Sequence, residues 1–67
     1  MNTYNIFEQE NESTILYHAI ARDENHVREL AEDAGFQIEG LSIDLIRANV
    51  KDQMGRSYTP RIESALV

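Results

Sequence analysis

Sixty-seven residues with no cysteine and a formal net charge of −6 are expected to make a single small domain, 1–67, without disulfides or thiolate metal sites. A chain this short buries only about 60% of its unfolded surface. With disulfides gone, self-association into a homo-oligomer is the remaining aid open to it. The 42% hydrophobic content supports a small core rather than global disorder.

The segment from Tyr4 to Glu8 places Tyr4 and Ile6 against Asn5 and Glu8, with Phe7 breaking the alternation on the second face. Gln9 to Ser13 is polar and suits a turn. Thr14 to Arg22 then carries Ile15, Tyr17, Ala19 and Ala21 on one side and Leu16 and Ile20 on the other. Two strands joined by a polar turn read as a β-hairpin. One long helix from Thr14 to Ala34 is disfavoured, because its apolar stripe would need to continue through Asp23 and Glu24.

A helix over Glu24 to Ala34 is the best-specified element. Asp23 suits the N-cap, where a carboxylate accepts from free amides of the first turn. Val27, Leu30, Ala31 and Ala34 follow at i, i+3, i+4 and i+7. Glu24 and Arg28 form a favourably oriented i,i+4 pair. Gly35 suits the left-handed residue that ends a helix, with Phe36 packing back over the last turn. Glu32 and Asp33 oppose the helix dipole, a penalty that burial of the stripe outweighs.

Leu41 to Val50 reads two ways. As a strand, Leu41, Ile43 and Leu45 alternate with Ser42 and Asp44 before the phase flips, which requires a bulge near Leu45-Ile46. As a helix, Ser42 caps it, and Ile46, Val50 and Met54 line one face. Val50 to Tyr58 resembles two strand ends around a tight turn with Gly55 at positive φ, which favours the strand. Pro60 confines any strand after it to an edge. Ile62, Ala65 and Leu66 either dock on the core or belong to a frayed tail over 59–67. The expected fold is α+β: a small antiparallel sheet in order β-β-α-β, with room for a fourth strand and the helix packed on one face. Its expected core is Ile6, Ile15, Tyr17, Ala19, Val27, Leu30, Ala31, Ile43 and Leu45.

Charge divides the chain. Residues 1–46 hold ten acids against Arg22 and Arg28, a net of −8; residues 47–67 hold Arg47, Lys51, Arg56 and Arg61 against Asp52 and Glu63, a net of +2. The acidic part disfavours nucleic acid and anionic membranes and suits a basic protein surface; equally, it serves solubility alone. Met1 to Asn5 lacks the basic and apolar regions of a signal peptide. Apolar runs such as Ile15-Leu16-Tyr17 fall far short of the roughly 20 residues that span a bilayer. The expected location is the cytoplasm.

No catalytic, metal or cofactor motif emerges. His18 and His26 lack a third ligand at recognisable spacing, with His18 expected on a strand and His26 facing solvent on the helix. The acidic pairs read as a solvated face rather than a general acid and base. The serines sit in no nucleophile elbow, and the three glycines are too dispersed to cradle phosphate. These absences point away from an enzyme and towards a protein-binding module. The candidate partner-binding residues are Arg47, Lys51, Arg56, Tyr58 and Arg61. Arg and Tyr are enriched at interface hot spots, and a neighbouring strand edge suits strand addition. The same residues suit weak nucleic-acid contact, four cations gripping phosphates and Tyr58 stacking a base. A third reading has the cations paired internally with the acidic half.

The stretch Ala21 to Glu32 followed by Gly40 to Arg47 resembles the strand–helix–strand unit of small bacterial and phage proteins, among them phage inhibitors of bacterial RNA polymerase. The likeness rests on capping and stripe residues and carries no functional residue across. What it implies is a small acidic effector that inhibits a host nucleic-acid-processing protein.

Overall fold

The computed structural model describes residues 1–65, and the elements run β1 (Asn2–Phe7), β2 (Ile15–Ala21), α1 (Glu24–Ala34), β3 (Ser42–Arg47) and β4 (Arg61–Ser64). The four strands form one sheet in the order β3-β1-β2-β4, antiparallel at every junction. The expected α+β fold is present, with the fourth strand. β2 and β3 both run opposite to β1, so they are parallel to each other with β1 between them. A parallel pair needs a crossover connection, and α1 supplies it.

The β1–β2 turn closes through Asn11 N donating to Glu8 O at 3.0 Å and Thr14 N to Asn11 O at 3.2 Å. Asp23 caps α1 by accepting from His26 N at 2.8 Å. His26, expected to face solvent, is half-buried instead, and its Nδ1 accepts from Arg22 N at 3.0 Å. It therefore fastens the strand–helix corner. At the other end Gly35 adopts φ 78, Gly35 N donates to Glu32 O at 3.1 Å, and Phe36 N donates to Ala31 O at 2.8 Å. This is the paired Schellman closure. The Phe36 ring goes on to stack on Tyr17 with centroids 4.8 Å apart.

Tyr4, Ile6, Ala19, Ala21, Val27, Ala31 and Ile38 are the buried core, with Tyr17, Leu30, Phe36, Leu41, Ile43 and Ile62 packed against it. Two residues of the expected core are absent: Ile15 is half-buried outside this cluster, and Leu45 is 50% exposed. The cause is where the helix lies. α1 packs over β2 and β4, and Ile38 and Leu41 from the connecting loop cover the β1–β3 side as far as Ile43. Leu45, further along edge strand β3, lies beyond that cover.

The 41–50 stretch is the strand, not the helix. Its bulge falls where the phase flips: Tyr4 pairs with Leu45 and Thr3 with Arg47, so Ile46 is the extra residue. Beyond it, Lys51 bridges to Ser57, and Gly55 at φ 75 donates from its amide to Asp52 O at 3.0 Å. β4 is an edge strand starting directly after Pro60. Ile62 docks on the core, and Ala65 N donates to Leu16 O at 2.9 Å. The docking expected of Leu66 lies outside the described residues. No helix among them is long and apolar enough to cross a membrane.

Candidate functional site

Side chains alternate across a strand, so burial of Tyr4, Ile6, Ala19 and Ala21 in the core beneath α1 and the 36–41 loop sends Thr3, Asn5, His18 and Ile20 to the opposite face. Among the described residues no secondary-structure element covers the middle of that face. Strand register organises it into two rows. The first is Arg47–Thr3–Ile20–Arg61, and the second is Asp44–Asn5–His18–Glu63. Each runs across all four strands. The first ends in a cation at both edges, and the second ends in a carboxylate at both. Two residues of strand separate them, about 7 Å.

The bulge matters for this face. Without an inserted residue, β3 would present alternate side chains only. With Ile46 inserted opposite Thr3, both Ile46 (49% exposed) and Arg47 border the face: Ile46 beside Asn5 and His18, and Arg47 beside Thr3 and Ile20. Bulges re-aim side chains in this way.

The connection from β3 to β4, residues 48–60, leaves one edge and returns to the other. It walls a groove of about 620 Å³ against the sheet end, lined by Thr3, Ile20, Arg47, Lys51, Tyr58 and Arg61 together with residues 48–50. Two hydrogen bonds hold the wall to the N-terminus: Val50 N donates to Met1 O at 2.6 Å and Asn49 N to Asn2 Oδ1 at 3.0 Å. Asn49 takes φ 57 in doing so, a conformation asparagine tolerates better than most residues. The groove continues past Thr3, Ile20 and Arg61 into a smaller depression of about 300 Å³ that reaches Asn5, His18, Ile46 and Glu63. Within it, Nδ1–H of His18 donates to Oδ1 of Asn5 at 2.8 Å.

Four of the five candidate partner-binding residues therefore converge: Arg47, Lys51, Tyr58 (40% exposed) and Arg61. Arg56 stands apart, outside the groove lining. Asp52 locks it into the turn, with Oδ1 accepting from Met54 N and Arg56 N, each at 2.9 Å. None of these cations is paired internally with the acidic half among the described residues. Among the described residues the salt bridge is Arg28–Glu24 at 3.7 Å, at the predicted i,i+4 positions of α1. The basic groove carries no acid in its lining, although the chain has twelve acids.

The two histidines are separated by role, His18 on the open face and His26 in the helix cap. Among the described residues no three His, Cys, Asp or Glu side chains gather on one metal position. The acids Glu24, Glu29, Glu32 and Asp33 are exposed along α1, away from the groove. Sequence reasoning missed Thr3, Ile20, Asn5 and His18 as site residues. Their signal was present in the alternation of the first hairpin, whose polar side faces the groove. No family model, curated protein or solved structure matches the chain.

Proposed function

We propose that the chain is a small acidic non-enzymatic protein-binding module, acting in the cytoplasm, whose recognition surface is the uncovered sheet face. The observation that carries this reading is the groove between that face and the 48–60 connection, where Arg47, Lys51, Tyr58 and Arg61 meet over Ile20. Arg and Tyr beside apolar residues are the composition of interface hot spots. A small molecule needs most of its surface buried, and an open groove favours a macromolecular segment instead. The sheet edges are poorer templates for strand addition. β3 is bulged and β4 has four residues behind Pro60, two devices that blunt an edge. Binding on the face is the better use of the fold.

A second reading, weak nucleic-acid binding, draws on the same three cations beside Tyr58. Against it stands the acidic row about 7 Å away, which a strand of phosphates leaving the groove would meet. Affinity capture with the Ile20→Asp/Ile46→Asp variant beside wild type and Glu29→Lys tests the first reading. A specific protein is expected on wild type and on the helix variant, and lost from the open-face variant. Retention by the open-face variant refutes the assignment of the surface.

A further inference from the structure

We infer that the basic groove receives a compact anionic group, a phosphate or a carboxylate, carried on an extended protein segment; this rests on the protein-binding reading above. Three observations carry it. Arg47, Lys51 and Arg61 line one groove with no acid among its walls. None of the three makes an ion pair with a described residue, so no described carboxylate competes with a ligand for them. The connection that forms the wall is tied down at Asn49 and Val50, so the positions of Arg47 and Lys51 are set before binding. Pre-set donors lose less freedom on binding.

The charge layout also limits the size of the anion. Asp44 and Glu63 occupy the neighbouring row at both edges, about 7 Å along the strands. That is within the Debye length of about 8 Å at physiological salt. A polyanion running down the groove would be repelled there, whereas a single charged side chain stops short of it. The same row offers Asp44, Asn5, His18 and Glu63 as hydrogen-bonding partners for neutral or basic residues further along the segment. The site is therefore polar in sign along its length: an anion at the 48–60 end, and a donor or cation at the His18 end. Ile20 and Ile46 supply the apolar floor between. A free phosphate would use only the first part.

The test is an NMR titration of the ¹⁵N-labelled chain with four probes: a Gly-Ser octapeptide, the same peptide with one phosphoserine, the same with two adjacent glutamates, and an eight-nucleotide thymidine strand. The phosphoserine or glutamate peptide should shift the amides of Thr3, Ile20, Arg61 and residues 48–51, with affinity falling as salt rises, while the plain peptide leaves them unmoved. Whichever of the two binds tighter identifies the source of the anion. Arg47→Ala and Arg61→Ala should each weaken binding by about tenfold, the loss of one charge-assisted hydrogen bond. Both side chains are exposed, and thermal melts check that the variants remain folded. No response at millimolar peptide, shifts centred elsewhere, or tighter binding of the thymidine strand would overturn the inference. A protein partner that depends on Ile20 and Ile46 but ignores all three cations would overturn it too, while leaving the protein-binding reading in place.

Discussion

Replacing Asn2 with alanine should loosen the groove wall and lower stability together. Its Oδ1 accepts from Asn49 N at 3.0 Å, and its Nδ2 donates to Arg22 O at 3.2 Å and to the Tyr4 hydroxyl at 3.1 Å. One side chain thus ties the start of β1 to the end of β2 and to the connection that carries Arg47 and Lys51. A typical hydrogen bond contributes about 0.5–1.5 kcal/mol net. Asn2 is half-buried and Asn49 exposed, so water replaces part of what is lost, and about 1–2 kcal/mol in total is expected. At about 4–8 °C per kcal/mol for a domain of this size, the melting temperature should fall by about 4–16 °C. Hydrogen exchange separates the local effect from the global one. The Asn49 amide should exchange much faster in Asn2→Ala, beyond the change seen at Ile6, which reports whole-domain opening. Asn2→Asp keeps the acceptor for Asn49 but loses both donated bonds, so it should protect the Asn49 amide while still lowering the melting temperature. Unchanged exchange at Asn49 in the alanine variant would refute the tether.

Substitutions at four further positions probe the frame. Ile6→Ala removes a fully buried side chain and should cost about 2–5 kcal/mol by chemical denaturation; the total stability of a domain this size is about 3–10 kcal/mol. Asp23→Ala removes the N-cap bond to His26 N and should cost about 1 kcal/mol in the same assay. Gly35→Ala meets no atom within 4 Å, so its cost is the left-handed backbone alone, about 1–2 kcal/mol. Gly35→Asn should cost visibly less in parallel melts, since asparagine tolerates that region. Leu45→Ala, at a side chain 50% exposed, should cost about 1 kcal/mol, half of full burial, and a loss matching that of Ile6→Ala would contradict the packing.

The elements were legible where local chemistry decides them. Asp23, the Val27–Leu30–Ala31 stripe and Gly35 specify α1 with no help from the rest of the chain, and its ends fall where capping places them. The phase flip at Ile46 likewise announced the bulge, because a strand buried on one side must correct a slip of one residue. What local pattern leaves undecided is which parts of a face get covered. Ile43 and Leu45 read identically along β3, yet one packs on the core and the other is half exposed. The difference is set by where α1 and the 36–41 loop cross the sheet, a property of the assembled fold. His26 shows the same limit. Its spacing fits an outward helix position, but the approach of Arg22 at the β2–α1 corner turns the imidazole inward as an acceptor.

The site was legible only in part, for a related reason. Arg47, Lys51, Arg56, Tyr58 and Arg61 form a run in sequence, and proximity in sequence grouped them. The fold regroups them by row. Arg47 and Arg61 sit at opposite edges of the sheet and share a groove because Thr3 and Ile20 lie between them in register. Arg56, nearer to both in sequence, is held away by the Asp52 turn. The excess of acid over base in residues 1–46 is also redistributed. Most of those acids lie on α1 and the loops, and β1 contributes Thr3 and Asn5 to the open face rather than a charge. An overall charge of −6 therefore coexists with a cationic groove. Net charge governs long-range encounter, whereas what a groove accepts depends on the charges within about a Debye length of it. A partner segment for this groove should therefore carry its negative charge locally and be neutral or basic beside it, because an acidic surround would meet Asp44 and Glu63 in the neighbouring row.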